Sequence, residues 1–255
     1  MTSSTHLVLI PTYNTGARLT ATVREALAQW QPVWVIVDGS TDDSVVEVVA
    51  LTATEPGLRV IELPRNSGKG AAVLAGAQAA LAAGFTHALV MDADGQHPAD
   101  RIGDFMQASQ AEPAALVLGR PVFGPEAPAV RLQGRKLSVG LVRFEIGGEG
   151  IDDPLFGFRV YPLEPLVRAM RGTPGARRYD FDPEVAVRMF WAGTPTRNVP
   201  AACRYLTREQ GGVSHFHYVR DNVRMVWLHT RLITELLLWR WLAVVRVRRK
   251  LRARS

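Results

Sequence analysis

The first half of the chain alternates two hydrophobic rhythms. Short, β-branched apolar runs stand at "HLVLI" (6–10), "VWVIV" (33–37), "LRVIEL" (58–63) and "HALVM" (87–91). Such runs predict strands buried on both faces of a parallel sheet. Between them, "RLTATVREALAQW" (18–30), "DDSVVEVVALTA" (42–53) and "GKGAAVLAGAQAALAAG" (68–84) carry helical spacing. Each strand passes into its helix through a short stretch of Pro, Gly, Asn, Asp or Ser. This alternation predicts βαβ units in a doubly wound, mainly parallel α/β sheet with helices on both faces. Ligands of such sheets bind outside the carboxyl ends of the strands.

Beyond Asp100 the rhythm loosens. A helix over about 98–110 and a strand at "AALVLG" (114–119) precede a Pro/Gly-rich loop and a basic helix at 131–146. The segments "IDDPLFGFRVYP" and "YDFDPEVAVRMFWAG" follow, and a long amphipathic helix beginning near Ser214 closes the chain. The expected division is a catalytic unit over 1–220 and a basic, amphipathic helix and tail over 221–255.

Four strand ends turn polar: "PTYN" (11–14), "VDGSTD" (37–42), "RNSGKG" (65–70) and "DADGQH" (92–97). Any one of them is an ordinary turn or helix start, but all four converge on one sheet edge. Asp92 and Asp94 lie two residues apart where a strand unravels, so both carboxylates can reach one hard cation, with Gln96 adding a neutral oxygen. Mg²⁺ or Mn²⁺ takes one or two protein carboxylates and completes its shell with water and substrate phosphates. Such a metal would screen the charge developing on a departing diphosphate.

Taken together, "PTYN", "VDGSTD", "NSGKGAA" and "DADGQH" resemble the inverting glycosyltransferases of family 2, which have the GT-A (nucleotide-diphospho-sugar transferase) fold. Downstream, "DDPLFGFRVY" (152–161), "YDFDPEVAVRMFWAG" (179–193) and "REQGGVSHF" (208–216) resemble further motifs of that family. The nearest subgroup is the polyprenyl-phosphate (dolichol-phosphate) mannose and glucose synthases. The resemblance implies transfer of a hexose from a GDP- or UDP-linked donor to polyprenyl phosphate or another lipid acceptor. It places Pro11, Tyr13 and Asp38 at the base and ribose, with Asp38 on the base edge, and adds Lys69 to the substrate-binding set. Asp92, Asp94 and Gln96 would hold the metal and, through it, the diphosphate, while Arg120, Arg131, Ser138, Arg208 and Ser214 would hold the acceptor phosphate. Asp92, Asp94, Asp153 and Arg208 form the expected catalytic set, with Asp153 orienting the Gly157-Phe158-Arg159 loop.

A phosphate acceptor is already anionic and needs no strong base. Transfer to a lipid hydroxyl or a glycan would need one, for which Asp152, Asp153 and Asp182 are the candidates. A membrane-recruited protein that binds nucleotide sugar without transferring it is the non-enzymatic alternative. Three positions depart from the family pattern: Thr15 where the subgroup has Glu, Val37 where a first Asp is common, and Phe156 where a small hydroxyl residue is usual.

Composition narrows the remaining classes. The chain has 255 residues, 47% hydrophobic and 21% charged, enough to bury a full core. One cysteine, Cys203, excludes a disulfide framework and reads as a buried thiol in a reducing compartment. His97 reads as a capping neighbour of the acidic motif, and His215 and His217 lack the further ligands that zinc requires.

The net charge of +6 is uneven: Trp227 to Ser255 carries +7 and the rest −1. A near-neutral body with a cationic tail gives no folded basic face for nucleic acid. From Asp221 to Val245 the apolar runs are too short to span a bilayer, which needs roughly 20 apolar residues. Trp227, Trp239 and Trp241 beside "RVRRKLRARS" predict a helix lying in the plane of an anionic membrane surface, or one packed on the catalytic unit with a solvated basic end. With no signal peptide and no spanning helix, the expected location is the cytoplasmic side, peripheral to the inner face of the membrane.

Overall fold

The structure is a computed structural model that describes residues 2–124, 129–173, 175, 177–203 and 218–252. Seven strands, β1 (His6–Thr12), β2 (Val33–Asp38), β3 (Leu58–Leu63), β4 (His87–Val90), β5 (Leu116–Phe123), β6 (Arg159–Pro162) and β7 (Thr196–Cys203), form one sheet in the order β3-β2-β1-β4-β6-β5-β7. All neighbours are parallel except β6, which runs antiparallel to β4 and β5. After β3 the chain returns across β1 to lay down β4, so the winding direction reverses between β1 and β4. Crevices at such switch points bind ligands.

The strand alternation separates two cores. Leu7, Leu9, Trp34 and Ile36 face one side, where α3 (Lys69–Ala82), α6 (Leu163–Arg171) and α7 (Phe181–Trp191) pack. Val8, Ile10, Val33 and Val35 face the other, covered by α1 (Arg18–Gln29), α2 (Val46–Leu51) and α4 (Ile102–Ala111). Small residues set the approach of α3: a Cβ on Gly76 would stand 2.9 Å from Ile36, so only glycine lets the helix lie this close to the sheet. Cys203 is buried, and burial pushes its thiol up to about 11.

Two strands are absent from the sequence reading. β6 is four residues long, contains Arg159 and ends in Pro162; β7 contains Arg197, Asn198 and Pro200 at the sheet edge, where a missing N–H is tolerated. Neither shows an apolar run.

α5 (Ala129–Glu145) precedes β6, and the C-terminal segment forms α8 (Tyr218–Glu235) and α9 (Trp241–Arg252), joined by a π-turn at Leu236–Arg240. The extra residue of a π-turn rotates everything after it, which is why one helical period does not fit the whole segment. Leu228, Leu232, Leu236 and Val244 join the core on the α6–α7 side. Polar contacts fasten the same region: Arg231 pairs with Glu184 at 2.6 Å and Arg188 with Glu235 at 2.7 Å, and His229 Nδ1 hydrogen-bonds Glu145 at 2.7 Å. The opposite face stays exposed, with Trp227, Leu237, Leu238 and Trp239 all more than half accessible.

Candidate active site

The loops at the strand ends hold one another in place. Asn14 adopts a left-handed conformation (φ 48°), and its Oδ1 accepts from the Thr41 N–H at 2.7 Å while its own N–H donates to Ser40 Oγ at 3.1 Å. Asp42 caps the 3-10 turn before α2 by accepting from Ser44, and its second oxygen accepts from the Gly16 N–H at 3.2 Å. Thus "PTYN" and "VDGSTD" form one hydrogen-bonded unit.

Asp38 ties in the third loop. Its carboxylate accepts the N–H groups of Ser67 (2.8 Å) and Gly68 (2.6 Å), and the residue is 2% exposed. Asp38, expected on the edge of a nucleotide base, has each carboxylate oxygen accepting one N–H of the 67–68 turn. Gly39 (φ 65°) is obligatory beside it, because a Cβ would stand 2.5 Å from the Arg65 backbone.

This loop ends in Lys69, the first residue of α3. Its ammonium lies 2.7 Å from Asp92 Oδ1, past the end of β4, and 2.8 Å from Asp182 Oδ2, at the start of α7. Burial alone would lower the Lys69 pKa, but the charges of Asp182 and Asp92 outweigh it and hold the ammonium well above its ordinary value. For Asp92, burial is likewise overcome by Lys69, and its carboxyl stays below the usual range. Asp94 behaves oppositely: burial, then the negative charge of Asp92, push it up to about 6. Its Oδ1 accepts from the Gln96 N–H at 3.0 Å.

His97 caps the motif from beneath. The Asp92 N–H donates to its Nδ1 at 2.9 Å, which places the proton of the neutral ring on Nε2, 3.7 Å from Asp92 Oδ2. Burial lowers this histidine to about 4, so it stays neutral at physiological pH. Phe156 packs edge-on against the ring at 4.9 Å, so the Phe156 departure is absorbed inside the core rather than at an open surface.

The floor comes from residues 153–159. Asp153 Oδ1 accepts from the N–H groups of Leu155 (2.8 Å) and Phe156 (2.9 Å) and pairs with Arg135 of α5 at 2.5 Å. Through this oxygen Asp153 holds the 153–156 turn in place. Arg159 is fully buried and donates to the carbonyls of Phe156 (2.9 Å), Pro154 (2.7 Å) and Asp182 (2.6 Å), pinning this loop to α7. Gly157 sits directly over the triad, where a Cβ would lie 2.6 Å from Lys69 Nζ and 3.4 Å from Asp92 Oδ2.

The residue chemistry fits a hard divalent cation. Three carboxylates, Asp92, Asp94 and Asp182, are balanced by two cations, Lys69 and Arg159, while His97 is neutral. Asp182 Oδ1 is buried and makes no hydrogen bond among the described residues. Among those residues, no group of three His, Cys, Asp or Glu side chains is arranged to hold a metal. The protein's share would therefore be the two carboxylates of the "DADGQH" turn, in keeping with ions that take most of their shell from water and phosphate.

The family model for glycosyl transferase family 2 matches residues 7–160, which takes in all four strand-end motifs and the 153–159 floor. The chain belongs to glycosyltransferase family 2. Polyprenol monophosphomannose synthase of Mycolicibacterium smegmatis is 29% identical over 214 residues, which are 82% of this chain and 79% of that protein. Dolichyl-phosphate beta-glucosyltransferase ALG5C of Trichomonas vaginalis is 28% identical over 199 residues, 70% of this chain but 58% of that longer protein. Glucosyl-3-phosphoglycerate synthase from Mycobacterium tuberculosis, solved with Mn²⁺, UDP and glucosyl-3-phosphoglycerate, aligns with TM-score 0.62 at 20% identity over 92% of this chain and 79% of that one. At that identity the shared property is the fold, which is GT-A.

Other expected positions of this glycosyltransferase are more dispersed. Pro11 is buried at the end of β1 and Tyr13 is half-buried beyond it. Arg120 is largely exposed, 4.0 Å from Asp152, and Ser138 is half-buried on α5, one turn after Arg135. Arg208 and Ser214 lie outside the described residues, as do His215, His217 and the side chain of Arg131. The sequence reading gave Asp182 only as a candidate base and had no role for Arg135 or Arg159. The signal available for Asp182 was the cluster of acids Asp180, Asp182 and Glu184 at the helix start "YDFDPE".

Proposed function

We propose that this enzyme transfers a hexose, with inversion, from a GDP- or UDP-linked sugar to polyprenyl phosphate at a membrane surface. The carrying observation is that Asp92 and Asp94 stand together at the switch point between β1 and β4, with Asp92 fixed by Lys69. The named activities of the two curated relatives support a lipid-phosphate acceptor.

Asp92, Asp94 and Gln96 would hold Mg²⁺ or Mn²⁺, which supplies charge neutralisation for the departing diphosphate. Lys69 holds the Asp92 carboxylate in one orientation and keeps it ionised. Gly157 keeps the space beside Lys69 and Asp92 clear of side chain. An oxygen of the acceptor phosphate attacks the anomeric carbon as the bond to the diphosphate breaks, and the diphosphate leaves with the electron pair. The acceptor oxygen carries no proton that must be removed.

The state of the carboxylates favours this acceptor over a hydroxyl. Asp182 is ion-paired with Lys69, Asp153 is bound to two N–H groups and Arg135, and Asp152 is drawn towards Arg120. Each of the three base candidates has one oxygen turned towards a cation. At the membrane, the exposed face of Trp227, Leu237, Leu238, Trp239 and Trp241 suits an in-plane helix. Among the described residues, no helix is long and apolar enough to cross a bilayer.

The test offers GDP-mannose, GDP-glucose, UDP-glucose and UDP-galactose with Mn²⁺ and polyprenyl phosphate in vesicles, and follows label into the lipid fraction. Label in lipid from one donor supports the reading. Label only in free sugar, or only in a hydroxyl-bearing lipid, would overturn it.

A further inference from the structure

A second polar cavity lies outside the strand-end site. It has a volume of about 480 Å³ and is walled by Gly175, Arg177, Arg178 and Asp180 on one side and by Arg224, Trp227, Leu228 and Arg231 of α8 on the other. Four guanidinium groups face one carboxylate. The carboxylates that pair with the α8 arginines stand behind the wall: Asp221, 3.3 Å from Arg224, and Glu184, 2.6 Å from Arg231, are both fully buried. Counting these two carboxylates with Asp180, the four arginines still leave the surroundings of the cavity net cationic.

Three longer hydrogen bonds also involve these arginines. Arg178 donates to Asn66 at 3.2 Å, Arg177 to the Met170 carbonyl at 3.4 Å, and Arg231 to Thr173 at 3.4 Å. Arg231 Nε is buried without a hydrogen-bond partner among the described residues. Guanidinium groups converging on one cavity recognise phosphate oxygens well. Leu228 lines the same cavity, and Trp227, 67% exposed, stands at its rim. Val223 and Val226, also exposed, lie on α8 within one turn of it. A free phosphate has no use for that apolar strip, whereas a phosphate carrying an acyl or prenyl chain does.

We propose that this cavity binds the phosphate of an anionic membrane lipid, with its chain lying along the Val223–Trp227 face. It is a site separate from Arg120 and Ser138, and it would orient the strand-end crevice relative to the bilayer. The inference rests on the membrane-surface reading of the exposed C-terminal face.

The experiment uses the full chain and measures vesicle co-sedimentation and tryptophan emission. The vesicles are phosphatidylcholine alone, phosphatidylcholine with phosphatidylglycerol, and phosphatidylcholine with polyprenyl phosphate, each with and without competing inorganic phosphate. Wild type should prefer one or both anionic vesicles, with a blue shift that is smaller in Trp227→Phe, Trp239 and Trp241 supplying the rest. Arg224→Gln and Arg178→Gln should each weaken that binding about fivefold, while Arg224→Lys should retain most of it. Arg178 is exposed, so its variant remains informative if removing the partner of buried Asp221 unfolds the chain. Preference for phosphatidylglycerol identifies bulk phospholipid as the ligand, and preference for polyprenyl phosphate identifies the acceptor; either supports the site. Arginine variants that bind as wild type, or full displacement by millimolar inorganic phosphate, would overturn it. Donor-sugar transfer is read separately, so failure of this cavity is distinct from failure of the transferase reading.

Discussion

Lys69, the first residue of α3, donates to Asp182, near the start of α7, at 2.8 Å across 113 positions of sequence. The same ammonium reaches Asp92 at 2.7 Å, so one cation joins the phosphate-side loop, the acidic turn and the far half of the fold. Replacing it with Met leaves Asp182 buried and unpaired. Lys69→Met should cost about 3 kcal/mol in denaturant unfolding and abolish transfer. Adding Asp182→Asn should restore much of the stability without restoring activity, because the two residues act on stability as a pair.

Gly157 gives a sharper separation of site from fold. The atom a Cβ would strike is the flexible end of Lys69, which can move at little cost to folding. A small shift distorts its contacts with Asp92 and Asp182 without breaking the ion pairs. Gly157→Ala should therefore lower kcat on the order of 10²-fold with a Tm close to wild type. A Tm loss that matches the activity loss would show instead that Gly157 is needed for the backbone.

Asp153 and Asp152 are neighbours with different tasks. Asp153→Ala strands two buried N–H groups and Arg135, and should cost about 3 kcal/mol. Asp153→Asn keeps an acceptor oxygen for the N–H groups and should recover a large part of both stability and turnover. Asp152→Asn should leave turnover within a few-fold of wild type. Loss of turnover in both asparagine variants, with the fold intact, would point to a carboxylate base and a hydroxyl acceptor.

Acid should weaken the fold through His6. Its ring stacks on His87 with centroids 4.4 Å apart, and burial, then the charge of His87, lower it from 6.5 to about 4. The unfolded chain binds this proton more readily than the folded one. Stability is thus intact above pH 6.5 and declines as pH falls towards 4, by up to about 3 kcal/mol. Unfolding titrations across that range should show the decline, and His6→Gln should make it shallower, with His97, also lowered to about 4, contributing the remainder.

The residues legible in the sequence were those whose meaning is local. β1 to β4 show as apolar runs, and the acidic pair is visible because Asp92 and Asp94 are two positions apart. What stayed hidden depends on distant partners. Asp38 looks like an exposed strand-end acid until the Ser67 and Gly68 N–H groups are seen closing on it. Arg159 reads as a surface charge, although three carbonyls from the 154–156 loop and α7 surround it. The C-terminal helix has apolar residues on two faces, which periodicity alone cannot divide. The packed face of Leu228 and Leu232 and the open face of Trp227 and Trp239 emerge only once α7 is in place.

The central claim is that Asp92 and Asp94 hold a divalent cation that carries the donor diphosphate. Thermal unfolding with GDP or UDP, with and without Mn²⁺, on wild type and Asp94→Asn measures it most directly. Ligand at about 100 times its Kd should add about 2.7 kcal/mol of stability. The account predicts that gain for one nucleotide, only with Mn²⁺, and its loss in Asp94→Asn. Stabilisation that is indifferent to Mn²⁺, or that survives the substitution, would contradict it.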